Sequence, residues 1–229
     1  MNNLITLKKI SKSFITSKKI KILNKITYSF KKGKIYSLVG PSGSGKSTLL
    51  NILSLIDTPT SGEISIANNK INCSSSMVND EIRARKIGII YQDKNLLSDF
   101  TALENVYLAR LSLDNNKEKA IEDAKKIISK MGLKNRVYHY PSELSGGEAQ
   151  RIAIARALIN QPDIILADEP TGSLDQTTAK EVFEILYKTK KPGRLIIYAT
   201  HNRFFANMAD CKLEMIDGNI KVINARNKK

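Results

Sequence analysis

The chain has 229 residues, of which 41% are apolar, and its 37 Lys and Arg exceed its 22 Asp and Glu to give a formal net charge of +15. This length and apolar content allow a sizeable buried core in one large or two small domains. No run of about 18 apolar residues occurs, which argues against a membrane-spanning helix, and residues 1–10 lack the apolar stretch of a signal peptide, so the sequence predicts a cytosolic protein.

The positive charge is concentrated at the start of the chain, where lysines are frequent and the first acidic residue is Asp57. A solvated surface, a face near anionic lipid and a nucleic-acid contact are all compatible with it. Because these lysines are not set among stacking aromatic residues, a solvated surface is favoured and no nucleic-acid partner is expected. Cys73 and Cys211 are far apart and in no metal-ligand pattern, so they are interpreted as reduced thiols.

The first part of the chain is predicted to be mainly β-structure. Short β-type segments broken by Lys and Gly fill residues 1–36, and the apolar run Ile35–Val39 predicts a buried strand. Apolar residues at helical spacing predict a helix over Ser47–Ile56. Strands are predicted at Glu63–Ala67 and Ile87–Tyr91.

The middle of the chain, residues 93–160, is predicted to be mostly helical. The predicted helices run from Thr101 to about Leu111, over Lys117–Met131 and over Gly147–Ile159. Thr101 and Glu104 have the spacing of a capping box, which opens the first of these helices. Gly132 is expected to terminate the second.

The last part of the chain alternates strands and helices again. The predictions are strands at Ile164–Ala167 and Leu195–Ala199, a helix over Thr177–Lys188 and a hairpin over Leu213–Ile223. The dipeptide Asp217-Gly218 is typical of the turn in such a hairpin. This order predicts an α/β fold with a largely parallel core sheet, an antiparallel edge contributed by the N-terminal segments, and a helical subdomain.

A glycine-rich loop lies between the strand Ile35–Val39 and the helix that follows. Its sequence, Gly40-Pro-Ser-Gly-Ser-Gly-Lys-Ser47, fits the phosphate-loop pattern in the strand–loop–helix context that the motif requires. Glycines let backbone N–H groups converge on phosphates, and the helix N-terminus adds a positive dipole end. Lys46 is expected to reach the β- and γ-phosphates and Ser47 to ligate Mg²⁺. The predicted ATP-binding residues of this loop are Gly40, Pro41, Ser42, Gly43, Ser44, Gly45, Lys46, Ser47 and Thr48.

A second motif, Ile164-Ile-Leu-Ala-Asp-Glu169, is an apolar strand that ends in two carboxylates. An apolar run before Asp-Glu is common in itself. Downstream of a phosphate loop it favours an ATPase site, in which Asp168 is delivered to Mg²⁺ and Glu169 faces an attacking water.

The segment Leu144-Ser-Gly-Gly-Glu148 precedes a predicted helix, and with the two motifs above it resembles the signature of ABC transporter ATPases. The resemblance covers nearly the whole chain. Gln92 resembles the family's glutamine loop, Ser173-Leu-Asp175 its dimer-contacting loop, and His201 its switch histidine. Phe14 occupies the place of the aromatic residue that stacks on adenine.

The resemblance implies a P-loop NTPase fold of ABC type, with a RecA-like core over about 1–92 and 161–229 and a helical signature subdomain over about 93–160. The core includes an N-terminal antiparallel β-subdomain. The resemblance also implies a head-to-tail homodimer that encloses ATP between the phosphate loop of one copy and the signature of the other. The residues implied at that interface are Ser145, Gly146, Gly147, Glu148 and Asp175.

The family also implies roles for the residues around the phosphates. Glu169 would act as general base, His201 would hold the γ-phosphate, and Gln92 would sense Mg²⁺ and water. Lys46 is counted with these catalytic residues. The Gln92 loop and the helical subdomain would grip a coupling helix of an integral membrane permease.

Four segments resemble the lipoprotein-releasing branch of this family: 57–62, 96–106, 140–144 and 212–218. This implies a peripheral subunit at the cytoplasmic face of an inner membrane, with permease partners of the LolC/LolE type. The chain departs from that pattern at Ser98, where Pro is usual, and at Asn202, where Asp is usual. Macrolide-export and cell-division ATPases remain alternatives. A soluble ABC ATPase acting on DNA or ribosomes is a more remote one, since such proteins usually carry long insertions or two fused cassettes.

Overall fold

A computed structural model describes residues 3–15, 19–72, 76–113 and 115–225. Cys73, interpreted above as a reduced thiol, lies outside these ranges, whereas Cys211 is buried and free. The strands are β1 (Asn3–Ile15), β2 (Lys19–Lys31), β3 (Ile35–Val39), β4 (Ser61–Ile66), β5 (Asn69–Lys70), β6 (Ile87–Ile90), β7 (Ile164–Asp168), β8 (Leu195–Ala199), β9 (Cys211–Ile216) and β10 (Asn219–Ala225). The helices are α1 (Lys46–Leu53), α2 (Ser76–Lys86), α3 (Ala102–Leu111), α4 (Lys117–Lys130), α5 (Gly146–Leu158), α6 (Gln176–Lys188) and α7 (Arg203–Ala206).

A six-stranded sheet in the order β10-β9-β3-β8-β7-β6 forms the centre of the molecule. All neighbouring strands in it are parallel except β10 and β9. The parallel register pairs Asp168 on β7 with Ala199 on β8. The carboxyl ends of β3, β7 and β8 therefore meet at one edge, and the loops that follow them lie side by side.

The predicted antiparallel β-structure of the N-terminal segments is confirmed, although it does not form the edge of the parallel sheet. The N-terminal segments are two strands of 13 residues each, and they form a separate antiparallel sheet in the order β2-β1-β4-β5. The antiparallel edge strand of the parallel sheet is β10 instead. The two-residue turn at Asp217 and Gly218, with φ of 46° and 72°, folds β10 directly back onto β9, so the edge position is filled by a local hairpin.

Helix α1 lies between the two sheets. Leu49, Leu50, Ile52 and Leu53 are buried in one cluster with residues of both sheets. The opposite face of the parallel sheet is covered by α5, α6 and α7, which contribute Ile154, Val182, Phe183 and Phe205 to a second cluster. A third cluster joins α3, α4 and α5. The α/β architecture predicted from the element order is confirmed.

The element boundaries differ from the sequence predictions in two main places. Helix α1 ends at Leu53 and not at Ile56, because Leu55 adopts a left-handed backbone with φ of 60°. Helix α2 was not predicted, since it has no continuous apolar stripe and most of its described side chains face solvent. Over the described residues, no helix has both the length and the apolar character needed to span a membrane.

Candidate functional site

A cavity of about 330 Å³ opens at the carboxyl edge of the parallel sheet, where the loops after β3, β7 and β8 converge. Its lining brings together residues from five separate parts of the sequence. They are Phe14, Ile22, Ser42, Gly43, Gly45, Lys46, Ser47, Thr48, Gln92, Asp168, Glu169 and His201. All of these except Ile22 are residues that the sequence singled out.

Lys46 occupies the first turn of α1 with only 6% of its surface exposed. Its ammonium group donates hydrogen bonds to the carbonyl oxygens of Gly40 and Pro41, both at 2.9 Å. Among the described residues no carboxylate pairs with this cation. A buried positive charge compensated only by carbonyl oxygens is suited to receive an anion, and the N–H groups at the start of α1 add to that preference.

The loop preceding Lys46 depends on glycine at its last position. Gly45 is the N-cap of α1 with φ of 97°, a left-handed conformation that side chains rarely adopt. A Cβ at this position would also lie 2.8 Å from Cδ2 of Leu23. The glycine therefore allows the loop to turn sharply into the helix beside β2.

Strand β7 places two successive carboxylates at the cavity. Asp168 is the last residue of the strand, and Glu169 follows it in a left-handed conformation with φ of 44°. Such a backbone is strained for a residue with a side chain, and strain of this kind is typical of functional sites. The Glu169 carboxylate faces His201, the second residue after β8.

Glu169 and His201 face each other at short distance. Nε2 of His201 lies 3.3 Å from Oε1 of Glu169, and the backbone N–H of His201 donates to Oε2 at 3.3 Å. Oε1 is buried but makes no aligned hydrogen bond with any described residue, despite the short distance to the imidazole. This oxygen is therefore available to accept a proton or a hydrogen bond from a bound molecule.

Gln92 lines the same cavity from the loop after β6. Gly172 lies beside it, and a Cβ on Gly172 would approach the Gln92 amide nitrogen to 3.3 Å and Glu169 Cβ to 3.4 Å. The absence of a side chain at Gly172 leaves room for both groups.

Oxygen donors for a cation are present in this cavity. The Ser47 hydroxyl, the Gln92 amide and the Asp168 carboxylate all line it. In the part of the chain that the structure describes, no group of three or more His, Cys, Asp or Glu residues could hold a metal by itself. The donor set therefore fits Mg²⁺, which prefers oxygen, needs only one or two protein carboxylates, and completes its shell with phosphate and water.

Two residues that hold the Gln92 loop were not assigned a role from the sequence. Gln150 on α5 is buried, and its amide donates to the carbonyl oxygen of Tyr91 at 3.2 Å. Arg156, also on α5, donates to the carbonyl oxygens of Lys94 and Asn95. In the sequence, the one indication of a role for Gln150 was that it is a polar residue on the otherwise apolar face of α5.

The signature residues do not line this cavity. Ser145 is the N-cap of α5, and Ser145 and Gly146 are exposed. The Ser145 hydroxyl accepts from the Glu148 backbone N–H at 3.2 Å, and Glu148 Oε2 accepts from the Ser145 N–H at 2.8 Å, which completes a capping box. Gly147 packs so closely on Thr178 that a Cβ there would collide with Cγ2 of that threonine.

The remaining predicted residues are also located by the fold. Asp175 is exposed and caps α6 by accepting from the N–H groups of Thr177 and Thr178 at 3.0 and 3.1 Å. Phe14 is 45% exposed, with the Lys12 ammonium 5.0 Å from its ring centroid. Asn202 caps α7 through its side-chain oxygen, which accepts from Phe204 and Phe205. An Asp at this position could form the same two bonds, so the departure at Asn202 preserves the turn after His201.

Known proteins resemble this chain in sequence over most of its length. A family model described as ABC transporter matches residues 23–172. The chain is 46% identical over 211 residues to the lipoprotein-releasing system ATP-binding protein LolD of Rickettsia bellii, covering 91% of this chain and 93% of the relative. It is 44% identical over 225 residues to LolD of Ehrlichia ruminantium, covering 96% and 98%.

Solved structures share the fold. The dimeric ATP-binding cassette MJ0796, bound to ADP and phosphate in a post-hydrolysis state, superimposes with a TM-score of 0.91 at 35% identity, covering 98% of this chain and 100% of that one. The ABC transporter component cbiO1 from Clostridium perfringens gives a TM-score of 0.83 at 25% identity, covering 96% and 88%.

Proposed function

The chain belongs to the ABC transporter family of ATP-binding proteins, and we propose that it is the ATP-hydrolysing subunit of a transporter that releases lipoproteins from an inner membrane. The observation that carries the proposal is the 44–46% identity to LolD proteins over more than nine-tenths of both chains. The cavity around Lys46 and Glu169 supplies the chemistry that such a subunit needs.

ATP is the substrate, with its phosphates over the loop that contains Lys46 and its adenine against Phe14. The buried, carboxylate-free Lys46 ammonium supports the first assignment. The half-exposed Phe14 ring at the rim of the same cavity supports the second. The oxygens of Ser47, Gln92 and Asp168 would hold Mg²⁺, which neutralises charge on the β- and γ-phosphates when bound.

Hydrolysis requires a base beside the γ-phosphate. Glu169 takes this role and accepts a proton from the attacking water, because its Oε1 has no aligned donor in the described part of the chain. His201, whose imidazole lies beside the Glu169 carboxylate, donates a hydrogen bond to the γ-phosphate. Gln92 reaches the cavity on a loop that is hydrogen-bonded to α5. A movement of α5 would therefore move Gln92 relative to the cavity.

The active form is a dimer of two copies in head-to-tail arrangement. Ser145 and Gly146 are exposed at the N-terminus of α5 and do not line the chain's own cavity. The hydroxyl of Ser145 and the N–H groups of Gly146 and Gly147 donate to the γ-phosphate held by the second copy. Asp175, exposed at the start of α6, lies at the same dimer contact.

The membrane partner docks in a cavity of about 730 Å³ between the β6–α2 region and the helices α3 and α5. Its lining includes Tyr91, Asn95 and Arg156, so an occupant would touch the elements that hold Gln92. We assign the core to about 1–92 and 161–229 and the helical subdomain to about 93–160, with this cavity between them. The partners are integral permease subunits of the LolC/LolE type, and the protein is peripheral at the cytoplasmic face.

Copurification tests this function. The Glu169→Gln variant is expressed in its native cells, and the membrane fraction is incubated with ATP to trap the complex. The proteins that copurify with the variant are then identified. The same preparation without ATP is the control. A pair of related permeases with large periplasmic domains and bound lipoprotein is the expected result. Recovery of a single export permease or a division protein would instead assign the chain to another branch of the family, and recovery of ribosomes or DNA would overturn the transporter role.

A further inference from the structure

We infer that Arg136 is a positioning residue for ATP-driven dimerisation, because its ion pair with Glu148 holds the signature residue Ser145 in the orientation that a second copy needs. The inference rests on the proposed dimeric function. Arg136 lies outside every sequence motif described above, nine positions before Ser145 in the chain.

Arg136 and Ser145 both contact the carboxylate of Glu148. Nε of Arg136 donates to Oε1 of Glu148 at 2.8 Å, while Oε2 of Glu148 accepts from the backbone N–H of Ser145 at 2.8 Å. Both oxygens of the carboxylate are thus engaged within one copy. The pKa of Glu148 falls to about 2, because the Ser145 backbone N–H and the Arg136 guanidinium both stabilise the charged form. Glu148 therefore acts as an anchor for the start of α5.

The segment that carries Arg136 is held in place by its neighbours. Arg136 ends a single helical turn, Lys134–Arg136, that lies between the buried residues Leu133 and Val137. The Val137 carbonyl accepts from the Leu103 N–H at 2.9 Å, which ties this turn to the start of α3. Nη1 of Arg136 also lies 3.2 Å from Nε2 of His139, and this contact orients the guanidinium plane.

The position of Glu148 affects the orientation of Ser145. Its hydroxyl is turned inward to accept from the Glu148 N–H, so the orientation of Ser145 depends on where Glu148 is held. Ser145 itself is exposed. Without Arg136, Glu148 loses one of its two fixed partners, and the donors at the N-terminus of α5 lose part of their preorganisation.

The experiment measures the ATP concentration that gives half-maximal dimer in the Glu169→Gln background, by light scattering after gel filtration. Arg136→Gln is expected to raise this concentration about tenfold. Binding of a fluorescent ATP analogue to the monomer should not change, since the phosphate loop does not use Arg136. The urea midpoint should fall by no more than it does when a comparable ion pair elsewhere in the helical region is removed, because Arg136 is partly exposed. Arg136→Lys should recover most of the effect, because an ammonium group can still reach Glu148.

Arg110→Gln is the matched control, because Arg110 also forms an ion pair in the helical region, with Asp123 at 3.6 Å, but does not contact the signature. Dimerisation of Arg136→Gln at the same ATP concentration as the parent would overturn the inference alone. Failure of the parent Glu169→Gln chain to dimerise with ATP would instead contradict the proposed dimeric function. Equal losses in Arg136→Gln and Arg110→Gln would show a general destabilisation and would also overturn the inference.

Discussion

The side chain of His201 approaches that of Glu169 to 3.3 Å across the carboxyl edge of the parallel sheet, and the backbone N–H of His201 donates to the same carboxylate. The pair arises because β7 and β8 are adjacent and parallel, so the residues that follow them lie side by side. One oxygen of Glu169 nevertheless has no aligned donor among the residues that the structure describes. This oxygen can therefore accept a proton from a bound water.

Replacing Glu169 with Gln should reduce ATP hydrolysis by about 10²- to 10⁴-fold, because an amide cannot accept the proton of the attacking water. ATP binding should be retained, since the side chain keeps its size and Lys46 is untouched. Phosphate release and equilibrium nucleotide binding are the two measurements. Glu184→Gln, on the exposed face of α6, serves as the control and should keep full activity. A Glu169→Gln enzyme with more than half the parent rate would contradict the role.

Phe14→Ala should weaken ATP binding by roughly five- to a hundredfold, since stacking of a base on an aromatic ring is worth about 1–3 kcal/mol. Binding of inorganic triphosphate should not change, because it has no base. Both affinities can be measured by calorimetry. Ile15→Ala is the control, because Ile15 is 85% exposed and does not line the cavity. Equal losses for ATP and triphosphate would mean that Phe14 shapes the phosphate loop instead.

Gly147→Ala should destabilise the fold by about 1–3 kcal/mol, because the added methyl group collides with Cγ2 of Thr178 where α5 packs on α6. Thr178→Ser removes that Cγ2 methyl group and should restore most of the lost free energy of unfolding in the double variant. Urea denaturation of the four proteins in this cycle measures the coupling. Gly193→Ala, whose Cβ would meet nothing within 4 Å, should change stability little. Additive effects at Gly147 and Thr178 would argue against the collision.

The stabilisation that depends on Glu148 should decrease in acid. Its pKa is about 2 in the folded chain against an ordinary value of 4.5, so the contribution is complete above 4.5 and is lost as pH falls towards 2. The difference in free energy of unfolding between the parent and Glu148→Gln should therefore be larger at about pH 6 than at about pH 3. Urea denaturation at a series of pH values measures it. A difference that grows on acidification would have the wrong sign for a carboxylate held in its charged form.

Much of the fold was predictable because its signals are local. The capping box of Thr101 and Glu104, the turn at Asp217 and Gly218, and the strand–loop–helix around Lys46 each depend on residues a few positions apart. The boundaries of α3, α4, α5 and α6 were correspondingly close to those observed. Helix α2 was not predicted, nor was the position of the predicted hairpin Leu213–Ile223 at the edge of the core sheet, because packing and strand pairing decide both and no strong local pattern does.

The sequence by itself determined the family and the chemical groups of the site, since each motif carries its own residues in a fixed spacing. Only the tertiary structure decided which of those groups meet. The parallel pairing of β7 and β8 brings Glu169 to His201, and α5 reaches 59 residues back along the chain to hold Tyr91 beside Gln92. The same fold sets Arg136 against Glu148. Contacts of this kind depend on how helices and strands pack. The local sequence around one residue of such a contact does not predict the other residue.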